Sequence, residues 1–237
     1  MSNSYFKFKQ FNVNQDKTAM KVGVDSVLLG AWTKVENSKL ILDVGTGTGL
    51  LSLMLAQKSN AKITSIEINE DAYNQAIENV NNSIWKNRIS VINISLQNFV
   101  EICKDKFDLI ICNPPYFVNS FKSPENSKNT AKHNEELSLN DLFEGVKLLL
   151  CEKGKFSLVY PFEQKEMLIK TAENKKLFPV EISKISGNEN KKPNRIFVKF
   201  SHEKAEVIYS EIYIRDSLSG EYTDEYKKLT KDYYLAF

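Results

Sequence analysis

Leu40-Ile41-Leu42-Asp43-Val44-Gly45-Thr46-Gly47-Thr48-Gly49 decides how the rest of the chain is read. The first five residues are short, apolar and partly β-branched, the pattern of a strand buried on both faces of a parallel sheet. Three glycines then alternate with threonines before an apolar helix that runs through Gln57. Glycines between strand and helix let the backbone turn sharply and approach a ligand closely. The helix N-terminus adds free N–H groups and the positive end of a dipole, suited to an anion. A dinucleotide-binding Gly-x-Gly-x-x-Gly would need its third glycine at position 50, which is Leu50.

Downstream, Lys62 to Ile66 reads as a second strand closed by Glu67. An acid about 20 residues past such a loop is placed to accept from ribose hydroxyls. Asn69 caps the following helix, with Glu70 and Asp71 in its first turn and a packing stripe of Ala72, Tyr73, Ala76, Ile77 and Val80. Ile89 to Ile94 is a third strand and Phe107 to Cys112 a fourth. The fourth ends in Asn113-Pro114-Pro115-Tyr116. Asn before Pro is pushed into extended geometry, and two prolines remove two N–H donors. The result is a stiff loop rich in acceptors, the Asn113 side-chain oxygen and the Pro114 carbonyl. It suits a planar amino group, and Tyr116 offers a ring for stacking. The plainer reading of the same residues is a strand-ending turn.

With 237 residues the chain can build one sizeable core and is short for two ordinary domains. A net charge of +2 excludes a global basic field, so any nucleic-acid contact is local. Cys103, Cys112 and Cys151 are far apart and lack Cys-x-x-Cys spacing, which excludes a zinc ribbon and is expected of a reducing, cytoplasmic setting. No metal is expected. The opening residues lack a signal-peptide run and no stretch is long enough to span a bilayer, so no membrane association is expected either.

The remaining elements follow the same rules. Residues 1 to 16 read as an extended polar-aromatic arm. Val27, Leu28, Ala31 and Trp32 recur at helical spacing after Asp25. Residues 118 to 136 form a polar loop long enough to be functional or disordered. Ser138 with Asp141 makes a capping-box-like pair, and Gly154 is expected to end that helix before a strand from Lys155 to Tyr160. A helix from Glu163 to Asn174 and strands Pro179 to Ile185 and Arg195 to Phe200 finish the sheet. Between those strands, Lys191-Lys192-Pro193-Asn194-Arg195 is a basic hairpin tip, solvated surface or a phosphate holder. The tail after Val207 reads as an appended strand plus helix.

Asn113-Pro114-Pro115-Tyr116 together with Asp43-Val44-Gly45-Thr46-Gly47-Thr48-Gly49 resembles the S-adenosylmethionine-dependent methyltransferases that modify exocyclic amino or amide nitrogens. The opening is similar to that of the bacterial tRNA(Val) adenosine-N6 methyltransferases. It consists of Phe8-Lys9-Gln10-Phe11, Gln15-Asp16 and Ala19-Met20-Lys21-Val22-Gly23-Val24-Asp25. Phe117 and Ala131-Lys132-His133 match that family too.

The resemblance implies an α/β fold, a single doubly wound, mostly parallel Rossmann-like sheet with an antiparallel strand near the C-terminus. Residues 1–36 would be an N-terminal arm and helix, 37–200 the catalytic core and 201–237 an extension, all in one domain. It further implies a catalytic Asn113, Pro114, Pro115 and Tyr116. S-adenosylmethionine would be held by Lys21, Asp43, Gly45, Thr46, Gly47, Gly49, Glu67, Ile68, Ser95 and Leu96, with Gln15, Asp16 and Asp25 as further polar contacts over the pocket. Phe117, Lys132, His133, Lys191, Lys192 and Arg195 would meet a tRNA substrate, and the enzyme would be a monomer. Ser95 departs from the family, which has an acid there for the cofactor's adenine. Three functions stay open on the residues. The first is N6-methylation of tRNA adenosine. The second is methylation of a protein glutamine amide or of DNA adenine. The third is a cofactor-dependent RNA-binding module without turnover.

Overall fold

The computed structural model describes residues 3–18, 20–35, 37–114 and 137–237. The chain opens with strands β1 (Tyr5–Lys7) and β2 (Asn12–Asn14) and helix α1 (Val24–Trp32). Strand β3 (Leu40–Val44) leads into α2 (Leu50–Gln57), and β4 (Lys62–Glu67) into α3 (Glu70–Asn81). Strand β5 (Ile89–Asn93) precedes α4 (Leu96–Ile102), and β6 (Phe107–Cys112) precedes α5 (Leu139–Leu149). Next come β7 (Leu150–Pro161), a 3-10 turn (Phe162–Gln164) and α6 (Lys165–Asn174). The chain finishes with β8 (Phe178–Ser186), β9 (Arg195–Ser201), β10 (Ile208–Tyr213) and α7 (Asp224–Thr230).

Eight strands form one sheet in the order β10-β8-β9-β7-β6-β3-β4-β5. Only β9 runs against its neighbours, β7 and β8, and every other pairing is parallel. Both faces are covered, and the period-2 rule divides each central strand between two cores. Ile41, Leu109, Ile111, Val159 and Phe197 face a core shared with α1, α2 and α7. Leu42, Val44, Ile110, Cys112, Leu158 and Val198 face the other, filled by α4, α5 and α6. The chain leaves β3 towards β4 and β5, then returns to place β6 on the opposite flank of β3. Ligands bind at such a reversal, beyond the carboxyl ends of the strands.

Local capping follows the sequence closely. Asn69 Oδ1 accepts from the Ala72 N–H at 2.9 Å. Ser138 Oγ accepts from the Asp141 N–H at 3.1 Å and its hydroxyl donates to Asp141 Oδ2 at 2.7 Å. The appended strand and helix form β10 and α7, and β10 lies parallel to β8.

Two expectations are corrected. Residues 1 to 16 are not an extended arm. They contain an antiparallel hairpin, Phe6 opposite Val13, whose Phe8, Phe11 and Val13 are buried in the first core. Apolar burial, which a short polar-looking segment hides, decides this. Nor does Gly154 end a helix. Helix α5 stops at Leu149, and Leu150 is already extended, with φ −75° and ψ 134°. Gly154 lies inside β7, where a Cβ would come within 2.7 Å of Leu150 Cδ1 and 2.9 Å of the Phe107 carbonyl oxygen. The glycine marks a close approach inside a strand, one of the uses of glycine within a sheet.

Candidate active site

The carboxyl ends of β3, β4 and β6 open onto one cavity of about 530 Å³. That is the size of an ordinary small-molecule site. Its floor is the glycine loop. Gly45, Gly47 and Gly49 have φ of 68°, 57° and 82°, the left-handed region that favours glycine. A Cβ on Gly45 or Gly47 would meet nothing within 4 Å, so the loop leaves open space where side chains would otherwise stand.

The loop is held from below and from one side. Gly45 and Thr46 donate their N–H groups to the Ile66 carbonyl at 2.9 and 3.1 Å. Asp43 Oδ2 accepts from Thr46 Oγ1 at 2.6 Å and from Ser52 Oγ at 2.7 Å. Burial outweighs those bonds and pushes the Asp43 carboxyl up to about 6. Its Oδ1 is buried without a hydrogen-bond partner. Glu67, 9% exposed, accepts from the Gly47 N–H through Oε2 and from the Asn69 N–H through Oε1, each at 2.9 Å. Each of its oxygens keeps a further lone pair for a ligand hydroxyl.

Lys21, Gly45, Thr46, Gly47, Glu67, Ile68, Ser95, Leu96 and Asn113 line this cavity together. Asp43 and Gly49 stand directly behind the lining: Asp43 is fully buried and Gly49 caps α2 against Ala76. Ser95 caps α4, its Oγ accepting from the Asn98 N–H at 3.2 Å, which leaves its hydroxyl hydrogen for the cavity. Lys21 donates to the Gln15 carbonyl. Gln15 is committed elsewhere, accepting from the Val22 N–H at 2.7 Å and donating to the Asn3 carbonyl at 3.0 Å. Asp25 accepts from Arg195 Nε at 2.9 Å.

At the other wall, Asn113 Nδ2 donates to Ser26 Oγ at 2.7 Å. Asn113 Oδ1 is buried and has no hydrogen-bond partner among the described residues. An orphaned buried acceptor costs about 1–3 kcal/mol, and Asn113 is the one residue lining this cavity that carries such an atom among the described residues. Pro114 follows and is buried. Pro115, Tyr116, Phe117, Lys132, His133 and the 118–136 loop lie outside the described residues. Lys191 and Lys192 are exposed on the turn between β8 and β9, while Arg195 is half-buried at the start of β9.

Ser26, Met20, Val22, Gln97 and Leu137 also line the cavity and were not among the expected site residues. Their signal would have been the family-like opening for Met20 and Val22, and none is visible for Ser26. Among the described residues no group of three His, Cys, Asp or Glu is placed to hold a metal, and no helix is long and apolar enough to cross a membrane.

The residues fit an adenosyl cofactor with an amino-acid tail: a bare glycine cradle, a carboxylate with spare lone pairs, and apolar walls from Ile68, Leu96 and Leu137. A family model described as the methyltransferase small domain matches residues 19–164. A tRNA1(Val) (adenine(37)-N6)-methyltransferase of Parabacteroides distasonis is 43% identical, the match covering 99% of each chain. The enzyme of the same name from Christiangramia forsetii is 41% identical, again over 99% of each. In architecture the chain is similar to a predicted O-methyltransferase from Agrobacterium tumefaciens. That match has a TM-score of 0.72 and 18% identity, over 88% of this chain and 96% of that one.

Proposed function

This chain belongs to the methyltransferase small-domain family, and from that premise we propose that it methylates N6 of a tRNA adenosine, using S-adenosylmethionine. The adenosine is the one immediately 3′ of the anticodon in a valine tRNA. Relatives above 40% identity that match it end to end, all bearing the name of that activity, support the assignment. In the structure itself, the observation that carries the reading is Asn113, which lines the cavity that the glycine loop floors and whose Oδ1 has no hydrogen-bond partner among the described residues.

S-adenosylmethionine supplies an electrophilic methyl group on its sulfonium. The chain's residues hold and orient the two reactants. Gly45, Thr46 and Gly47 would receive the amino-acid end, braced from behind by Asp43 and Gly49, and Glu67 would accept from the ribose hydroxyls. Lys21, Ile68, Ser95 and Leu96 enclose the rest. An adenine amino group has its lone pair delocalised into the ring. Accepting its two N–H hydrogens at Asn113 Oδ1 and the Pro114 carbonyl would favour a pyramidal nitrogen whose lone pair forms the N–CH3 bond as the S–CH3 bond breaks, the S–C electron pair staying on sulfur and one N–H proton passing to solvent. Catalysis is then positioning and electrostatics, with no covalent enzyme intermediate.

The base must leave its stack, which costs least in an RNA loop. Tyr116 and Phe117 receive the extruded base, and Pro115 stiffens their approach. Lys132, His133, Lys191, Lys192 and Arg195 meet the RNA backbone. Its setting is the cytoplasm, where tRNA is modified, and it works as a single-domain monomer, with 1–36 as the N-terminal segment, 37–200 as the catalytic core and 201–237 as an extension.

Mass spectrometry of nucleosides from tRNA of cells with and without the gene tests this reading. N6-methyladenosine in purified valine tRNA should disappear with the gene and return with the wild-type copy. Its persistence overturns the reading, as does a loss of N6-methyladenine from DNA or of methylated glutamine from protein in its place.

A further inference from the structure

We propose that Ser26 is a positioning residue for the methyl acceptor: its hydroxyl fixes the place and plane of the Asn113 amide that meets the target amine. The inference rests on the methyl-transfer reading above and adds a residue to it.

The outer torsion of an asparagine is broad and roughly two-fold, so the amide has two orientations of almost the same shape. One presents an acceptor to an incoming amine. The other sets two N–H donors against two N–H donors and repels it. A serine hydroxyl can accept from the amino group or donate to the oxygen, so it fixes the plane of the amide, and the donors of the incoming amine favour the orientation that presents the oxygen. In the structure the Asn113 amino group donates to Ser26 Oγ at 2.7 Å, and Oδ1 is left buried without a partner. Both residues line the same cavity.

The hydroxyl is delivered by a helix held at both ends. Ser26 lies in the first turn of α1, next to Asp25, which accepts from Arg195 Nε at 2.9 Å. At the far end Lys58 Nζ donates to the carbonyls of Gly30 at 2.6 Å, Ala31 at 3.1 Å and Thr33. Between them α1 lies so close to α2 that a Cβ on Gly30 would come within 2.7 Å of Met54 Sδ. An anchor on a rigid element keeps its partner in the productive geometry, and small displacements there cost rate.

The decisive experiment is a cycle of Ser26→Ala and Asn113→Ala, singly and together. Each variant is assayed for methyl transfer to an anticodon stem-loop of valine tRNA, for cofactor affinity by calorimetry and for melting temperature. Ser26→Ala should lower kcat about five- to tenfold, the range set by loss of one neutral hydrogen bond. The KM for RNA, cofactor affinity and melting temperature should stay close to wild type. In the Asn113→Ala background the same change should do nothing further, because the hydroxyl has no amide left to hold. Ser26→Thr, which keeps the oxygen, should restore most of the rate. Ser26→Cys, nearly the same shape with a poor acceptor, should behave like alanine, and it replaces Ser26→Ala if that variant fails to fold. A wild-type kcat in Ser26→Ala or Ser26→Cys overturns the inference, and so does an equal loss with Asn113 already removed. If the wild type proves to methylate a different amine, the tRNA reading falls alone, and the same cycle run on that amine still decides Ser26.

Discussion

The two loops at the carboxyl edge of the sheet are built on opposite plans. After β3, the glycine loop is nearly closed on itself. Its N–H groups are answered by Ile66 and Glu67, and Asp43 Oδ2 collects Thr46 and Ser52. After β6, the amide of Asn113 is tied by its nitrogen to Ser26 and left open at its oxygen. The first loop is a preformed cradle, held by its own hydrogen bonds before any ligand arrives. The second carries an acceptor unmet among the described residues, which on the proposed function the substrate amine would meet. A cofactor cradle gains from rigidity alone. On the methyl-transfer reading, an acceptor paired with the amine gains most as the nitrogen pyramidalises, and so acts on the transition state more than on the ground state.

Changes at the second loop should therefore act on rate and changes at the first on affinity or stability. The largest effect is expected from Asn113→Ala, a loss of turnover of about 10²–10³-fold, by analogy with removal of one preorganised polar group. Cofactor affinity should stay near wild type in calorimetry, and Asn113→Asp, which keeps an acceptor, should retain more activity than Ala. Equal rates for Ala and Asp, with only cofactor affinity lowered, would put Asn113 in the same class as the glycine loop and erase the contrast.

Asp43 should produce the next largest effect, on stability. Its carboxyl rises from 3.8 in the unfolded chain to about 6 in the fold, chiefly through burial. The folded protein thus binds this proton more tightly than the unfolded chain does. The contribution of Asp43 is favourable below about pH 4 and is lost as pH rises through about 6, where the ionised buried form costs about 3 kcal/mol. Urea unfolding of Asp43→Asn should show a correspondingly shallower loss of stability across that window. Curves that stay parallel to wild type from pH 4 to 7 would remove Asp43 as a buried titrating group.

Glu67→Ala should weaken S-adenosylmethionine binding by about 1–3 kcal/mol, by leaving hydroxyls and the Gly47 N–H unpaired. Its kcat at saturating cofactor should change little, the reverse of the Asn113 pattern, and an unchanged dissociation constant would take Glu67 out of the site. The smallest effect belongs to Lys191→Glu with Lys192→Glu. Affinity for tRNA should fall, with the salt dependence flattened by roughly one unit of slope per lost phosphate contact. Arg195→Ala should differ from that pair, since Arg195 is bonded to Asp25 on α1 and its loss should reach kcat. Identical salt slopes in all three proteins would make the turn between β8 and β9 ordinary surface.

Most of the framework was legible from local pattern. The strands around the cavity, the caps at Asn69 and Ser138, and the glycine loop each depend on a handful of neighbouring residues, and the structure places them where the pattern does. Of the ten cofactor-binding positions expected between Lys21 and Leu96, eight line the cavity together with Asn113, while Asp43 and Gly49 stand behind it. The hairpin at the start was missed because Phe8, Phe11 and Val13 alternate with polar residues over too short a span to outweigh them. Gly154 was misread because a glycine stop and a glycine close approach are the same letter.

What the sequence by itself determined is whatever a few adjacent residues decide: backbone freedom at Gly45, Gly47 and Gly49, the stiffness of Asn113-Pro114, the caps and the strand period. Tertiary structure alone decided which distant groups meet. Ser26 reaches Asn113 across 87 positions of sequence and Arg195 reaches Asp25 across 170. Neither contact leaves a local trace, because closing so long a loop costs entropy that no neighbouring residue repays. Both exist because the two cores pack α1 and the ends of β6 and β9 against one another, and the apolar burial that does so is a property of the whole sheet.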